Sequence, residues 1–387
     1  MASKSHRLAS SAAQSANKSS ALPRGLVVAV AFVTIVGLLI HFSLGVRAGS
    51  FALGDFYRQG VSAILGVVVL LLLMRLDYRV LKDYANLLYI IAVAGLLLVD
   101  VLGATRLGAT RWISLGFVQL QPSEFAKLLC IIFFAKYTAD QQLLGRPWQY
   151  LLKSIALLAI PTALVLAQPD LGTASVFVIS WLAIVLSSKV PKLPLLAILL
   201  AALLMLPLGY KFLAPYQKQR VDSFLQNHSD KQGSGYNVKQ AQIAIGSGGL
   251  WGRGLMSGSQ SEGNFLPSQS TDFVFAVVSE KLGFVGASLL IVALYYIVFQ
   301  VLLIGYRATD WFGTLLCIGI GAMLFIHVTV NVGMNLGILP VTGIPLIFVS
   351  LGGSSLIVLL ASIGIVLSVA LRSQRLPRYQ EDDRVVY

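Results

Sequence analysis

In the stretch FLPSQSTDFVF, residues 265–275, one carboxylate, Asp272, stands where a long polar segment gives way to a long apolar one. A carboxylate at a water boundary can take a proton from a hydroxyl, or hold a hard divalent cation through oxygen. The plainer alternative is a solvated residue at a helix start. Ser270 or Thr271 would then cap the first turn, and an anionic Asp272 just inside it would gain roughly 0.3–1 kcal/mol from the helix dipole. A second candidate is Glu124 with Lys127 in QPSEFAK, three residues apart and therefore on one helix face, where they can pair. Charges one turn inside a hydrocarbon layer are costly, so both must face the protein interior or a wet cavity. A buried structural pair and a cavity wall that grips a charged ligand are both open. Asp170 in QPDLGT reads as a helix cap in a tight turn or as a site residue. The glycines from 246 to 254, with Arg253 among them, allow tight turns or a nest of backbone N–H groups for an anion. In residues 331–356, NVGMNLGILPVTGIPLIFVSLGGSSL, Gly and Pro interruptions let backbone polar groups line a cavity, while packing through small residues is the rival account of GGSS and its Ser354. If Asp272 works with the charged pair, Asp272, Glu124 and Lys127 should line one outward-opening cavity.

These residues must be positioned by membrane-spanning helices. The chain of 387 residues is 57% hydrophobic and 12% charged, with sixteen acidic residues, and its mean hydropathy of +0.80 lies far from soluble composition. A helix needs about 20 apolar residues to span the hydrocarbon, and ten stretches qualify: 26–44, 60–74, 87–102, 122–137, 150–167, 171–186, 190–212, 284–306, 311–336 and 344–371. The expected fold is an all-α polytopic membrane protein. Lys and Arg concentrate in one set of short loops (Arg75, Arg79, Lys82, Lys136, Arg146, Lys153, Lys189, Lys192, Arg307), while the other set holds Arg47, Arg58, Arg106 and Arg111. By the positive-inside rule both termini are cytoplasmic. Residues 1–22 read as a disordered tail, 23–371 as the ten-helix domain and 372–387 as a second basic tail.

One long connection, 213–270 between the seventh and eighth spans, must then lie outside. Within it NVKQAQIAI, with Gln240, reads as a short amphipathic helix, and residues 272–283 as a short interfacial helix leading into the eighth span. The net charge of +13 follows from the inside bias and attraction to anionic lipid, without nucleic acid. Cys130 and Cys317 fall inside spans as small apolar fillers. His6, His41, His228 and His327 make no HExxH pair, and no Walker P-loop occurs, which lowers zinc hydrolysis and ATP-driven transport as readings.

The ordered motifs QPSEFAK, QPDLGT, GYNVKQAQIAIGSGGLWGRG, NFLPSQSTDFVFAVVSEKLG and NVGMNLGILPVTGIPLIFVSLGGSS resemble the SEDS family of cell-shape, division and sporulation proteins from the first span to the tenth. GYNVKQAQIAIGSGG and NFLP are closer to its elongation (RodA) branch than to its division (FtsW) branch, which often has lysine where this chain has Thr342. The resemblance implies a multi-pass protein of the bacterial cytoplasmic membrane with peptidoglycan glycosyltransferase activity. It would polymerise lipid II at the outer face beside a class B penicillin-binding protein. The family's essential aspartate carries over to Asp272 and its intramembrane pair to Glu124 and Lys127. A divalent cation, Mg2+ or Mn2+, is implied, with Asp272 as a candidate ligand. Arg111, Lys127, Arg220 and Arg253 are candidate cations for the pyrophosphate of undecaprenyl-pyrophosphate-linked glycan, and Asp170, Gln240 and Ser354 complete the cavity candidates. Ser268 and Ser270 stand where the family usually has Glu and His, and Leu351 where Tyr is common. A lipid II flippase and an inactive scaffold for the penicillin-binding partner are the readings from other classes.

Overall fold

The computed structural model describes residues 22–47, 53–102, 104–106, 109–115, 118–141, 147–189, 192–197, 234–256 and 268–373, together with 200, 218, 220, 222–224 and 266. In chain order the helices are α1 (Arg24–Arg47), α2 (Gly54–Arg75), α3 (Tyr78–Asp83), α4 (Ala85–Leu102), α5 (Pro122–Gln141), α6 (Pro147–Ala167) and α7 (Leu171–Ser187). They continue with α8 (Ser234–Ser247), α9 (Val274–Tyr306), α10 (Trp311–Asn335) and α11 (Gly353–Ser373). Among the described residues α1, α2, α6, α9, α10 and α11 are long and apolar enough to cross a bilayer, with α4 and α7 as shorter apolar helices. Most of the seventh expected span, 190–212, most of the two expected tails and much of 213–270 lie outside the described residues.

The all-α expectation needs one correction. Between α4 and α5 lies a small antiparallel sheet, β1 (Ala104–Arg106), β2 (Ala109–Leu115) and β3 (Val118–Leu120), in the order β1-β2-β3. Its register pairs Arg106 with Ala109 and Leu115 with Val118. The β-branched and aromatic residues of β2 suit a pleated surface better than a short loop. The second span, short by sequence, is the full α2 of 22 residues.

The core sits around α10 and α11. Within its most apolar window α11 is 83% buried by protein and α10 67%, against 22% for α2, so α2 is peripheral. α2 packs closely on α11 through small residues: a Cβ at Gly66 would meet Leu360, one at Gly353 would meet Ser62, and one at Gly364 would meet the Leu70 backbone. This supports packing as the role of Gly353 in GGSS.

α9 is one helix of 33 residues with a break at Gly283, whose φ of 66° suits glycine. Before the break Val274 to Lys281 are buried on every side, and after it one face is open. The expected short helix and following span are thus the two halves of α9. The expected cap is different. The N-cap is Phe273, without a side-chain hydrogen bond, and Asp272 precedes the helix rather than sitting in its first turn. Instead the turn 268–273 closes on the Ser268 carbonyl, which accepts from the amides of Thr271, Asp272 and Phe273. Ser268 takes a φ of 54° to present it.

Candidate functional site

α10 carries His327, Asn331 and Asn335 at successive intervals of four, so the three side chains lie on one face. All three are buried, at 1% exposure or less, and a buried polar group is tolerated when it is hydrogen-bonded. Their partners are mostly backbone carbonyls of two irregular segments. Asn331 Nδ2 donates to the carbonyls of Asp272 at 3.0 Å and Ile344 at 2.8 Å. Asn335 Nδ2 donates to the Asp272 carbonyl at 3.0 Å, and its Oδ1 accepts the Ala276 amide at 3.2 Å. His327 Nδ1 faces the Pro345 carbonyl at 3.1 Å. A carbonyl only accepts, so Nδ1 carries the proton and Nε2 is left as an acceptor.

That acceptor meets Lys127 Nζ at 3.0 Å, and the same ammonium donates to Glu124 Oε1 at 2.9 Å. Glu124 and Lys127 are 4% and 2% exposed on α5, so neither faces lipid. Bulk water cannot screen the pair at that depth, and each charge holds the other in place. Cys130 and Cys317 are buried free thiols, in keeping with the filler reading.

The segment 342–346 is where these elements meet. Asp272 Oδ2 lies 3.8 Å from the position a side chain at Gly343 would take, and Gly343 has a φ of 77°. The Ile344 carbonyl is held by Asn331 and the Pro345 carbonyl by His327, whose other face holds Lys127. A Cβ at Gly172, in the first turn of α7, would lie 2.8 Å from both Thr342 O and Ile344 Cγ1. Ser350 Oγ receives the Leu346 amide and donates to the Thr271 carbonyl, while the Leu351 amide donates to the Ser270 carbonyl. Further along, His41 Nε2 lies 2.9 Å from the Val349 carbonyl and Gln59 Nε2 donates to that of Ser350. The strap 342–351 is therefore tied to α1, α2, α7, α10 and the Asp272 turn.

The expected residues fall into distinct places. Asp272 meets the strap at Gly343, and Lys127, paired with Glu124, meets it through His327. Lys127 lines a cavity of about 10 Å3 with Cys130, Phe134, Phe177, Ser180 and Trp181, which does not reach Asp272. Asp170 caps α7, both carboxylate oxygens accepting from Thr173 at 3.0 Å. Ser354 Oγ accepts the amide of Gln121, just before α5, and so fixes the turn that delivers Glu124. Gln240 and Arg220 are half-buried. Arg253 is exposed, its Nε donating to the Ser247 carbonyl. The anion nest is not formed: the amides of Gly252, Arg253 and Gly254 donate to the carbonyls of Gly248, Glu280 and Lys281. Arg111 lies on β2, its side chain outside the described residues.

Sequence reasoning overlooked His327, Asn331 and Asn335, and the signal was present. FIHVTVNVGMN repeats polar residues every four positions through an apolar helix. For the implied cation, Asp272 offers hard oxygen, and among the described residues no three His, Cys, Asp or Glu side chains gather into a cage. That donor set fits an ion that keeps its waters and draws ligands from substrate phosphate, the habit of Mg2+.

The cell cycle protein family model FTSW_RODA_SPOVE matches residues 24–375. The peptidoglycan glycosyltransferase MrdB of Escherichia coli (strain K12) is 39% identical over 337 residues, covering 87% of this chain and 91% of that one. A solved peptidoglycan synthase complex, described as coordinating polymerization and crosslinking, contains a chain with TM-score 0.77 and 33% identity, covering 93% of this chain and 99% of that one. The crystal structure of the rod shape determining protein RodA from Thermus thermophilus gives TM-score 0.68 and 31% identity at the same coverage. The chain belongs to the FtsW/RodA/SpoVE family, the SEDS proteins, and is a multi-pass membrane protein.

Proposed function

We propose that this protein is a peptidoglycan glycosyltransferase that polymerises lipid II at the outer face of the bacterial cytoplasmic membrane, in the elongation branch of its family. The observation that carries the mechanism is the fixing of the Asp272 main chain by Asn331 and Asn335, with its carboxylate beside the open Gly343. Asp272 acts as general base. It takes the proton from the GlcNAc 4-hydroxyl of one lipid II as that oxygen attacks the anomeric carbon of the lipid-linked chain. The new glycosidic C–O bond forms as the bond to pyrophosphate breaks, with inversion, and undecaprenyl pyrophosphate leaves with the electron pair. A divalent cation, Mg2+ or Mn2+, held through Asp272 would supply positive charge for the departing pyrophosphate.

Lys127 has a different role. Its ammonium is already committed to Glu124 and His327, so it holds the far side of the strap rather than gripping a phosphate. Ten spans with both termini cytoplasmic place the Asn335 end of α10 outside, and a class B penicillin-binding protein is the partner. A flippase needs polar groups that continue across the membrane. Towards Asp310, α10 instead buries Met323, Ile320, Leu316 and Leu315, so this helix does not continue the polar row of His327, Asn331 and Asn335.

The test uses the purified full chain with its class B partner, labelled lipid II and Mg2+ or Mn2+. Polymer from wild type and none from Asp272→Asn is expected. Absence of polymer from a well-folded wild-type complex would overturn the enzyme reading, and lipid II translocation unaffected by Asp272→Ala would then favour the flippase over the scaffold.

A further inference from the structure

The loop following α8 is built unlike a solvent loop. Residues 248–256 fold back onto α9 at its break. Gly249 and Leu250 carbonyls accept the amides of Phe284 at 2.8 Å and Val285 at 3.1 Å, and the amides of Arg253 and Gly254 donate to Glu280 and Lys281. A Cβ at Gly248 would overlap the Ser279 carbonyl, and one at Gly252 the Lys281 carbonyl, so the loop lies flush on the helix. Held this firmly, it presents Leu250 at 65% exposure, Trp251 at 79% and Met256 at 51%.

The surface that these side chains extend is apolar along its whole length. Beyond the break α9 exposes Phe284, Val285, Leu289, Val292, Tyr296, Phe299, Leu302 and Tyr306. From Val285 onward the intervals of three and four place them on one face. Tyr306 marks one end of that face, beside the cationic Arg307, with Trp311 close by under the Lys189 ammonium at 5.2 Å. At ~1.5 Å per residue, Phe284 lies about 33 Å further along the helix. That rise is close to the ~30 Å hydrocarbon thickness, so Phe284, and the loop hydrogen-bonded to it, stand at the opposite membrane boundary. Tryptophan is favoured there because one part of its ring is apolar and the indole N–H still reaches polar headgroups.

We infer that residues 249–256 form a membrane-interface anchor, with Leu250 and Trp251 seated among the lipids of the outer leaflet. The occupant proposed is lipid: the patch continues a helix face whose length matches the hydrocarbon, and it carries an exposed indole at the boundary where tryptophan is favoured among headgroups. Anchored there, α8 and the break in α9 keep a fixed height relative to the bilayer, and the Asp272 turn immediately before α9 keeps it too. The inference rests on the proposed topology and not on the transferase reaction.

The test is fluorescence of the full chain in phosphatidylcholine–phosphatidylglycerol vesicles, without a partner. The Trp251 contribution is taken as the difference between wild type and Trp251→Phe. Lipids brominated near the headgroup should quench it at least about twofold more strongly than lipids brominated at the chain ends, and aqueous iodide should quench it weakly. A polarity-sensitive fluorophore on Leu250→Cys, with Cys130 and Cys317 protected by burial, repeats the measurement on an independent variant. Strong iodide quenching with no lipid quenching overturns the proposal. So does shielding that appears only after a class B penicillin-binding protein is added, which would assign the patch to protein. Polymerisation assayed on the same vesicles reports separately on the reaction.

Discussion

The two ends of α10 handle polar residues in opposite ways. At the Asn335 end, buried side chains spend their hydrogen bonds on backbone carbonyls, fixing the Asp272 turn and the strap against the helix. At the other end, Asp310 caps the helix by accepting the Gly313 amide, receives the Tyr78 hydroxyl and pairs with Arg79 at 3.6 Å. Around it lie half-open ion pairs, Lys82–Asp140 at 3.0 Å, Lys136–Asp140 at 3.4 Å and Arg372–Asp77 at 3.3 Å. Burial, with Asp310 as the second cause, pushes the Tyr78 phenol up from its ordinary value, so it stays a neutral donor throughout the physiological range. The difference teaches what each end is for. Buried amide donors on main-chain acceptors hold a backbone in place, since leaving such a carbonyl unpaired is costly, whereas exposed ion pairs contribute little energy.

That contrast can be broken first at Asp272. Asp272→Asn keeps the shape and removes the base, and should lower polymerisation by about 10²–10⁴-fold, read as glycan product from labelled lipid II. Next in size is Lys127→Met. It leaves Glu124 as an uncompensated buried charge and should cost about 3–5 kcal/mol, read as a fall in Tm in detergent. The double variant Glu124→Gln with Lys127→Met should recover part of that loss. Asn331→Ala leaves the Ile344 carbonyl without its donor and should cost about 1–3 kcal/mol. Polymerisation should fall more than binding of lipid II, because the variant loosens both the strap and the turn that carries the base. Each single variant leaves the other asparagine on the Asp272 carbonyl, but Asn335→Ala also leaves the Ile344 carbonyl its donor and should do less to the strap. Smallest of all is Lys82→Ala, whose pair is 40% exposed on each side. It should change stability by about 0–1 kcal/mol and leave polymer yield unaltered. If Lys82→Ala proved as costly as Asn331→Ala, the distinction between the two ends would fail.

Much of the site was legible because it rests on local rules. The spacing of Glu124 and Lys127 gave their pairing, and the alternation of polar and apolar residues in NVKQAQIAI gave α8, whose Val238, Ala241 and Ala244 are buried. The cap at Asp170 followed from its place before a helix. The cap expected from Ser270 or Thr271 was not found, because the helix begins at Val274 and both residues lie in the turn before its N-cap, where their carbonyls receive Leu351 and Ser350 from far along the chain. The nest expected around Arg253 failed for the same kind of reason, its amides being taken by α9.

What the sequence by itself determined is the class of the molecule: a chain too apolar for water, its helices long enough for a bilayer, its charges sorted to one side, and a lone aspartate at a boundary. These follow from the chemistry of each segment facing its solvent. Tertiary structure alone decided which carbonyls the polar residues of α10 would meet, and that Asp272 and Lys127 serve opposite faces of one strap. The reason is that a hydrogen bond across the fold depends on how distant segments pack, and no local pattern in either segment records its partner.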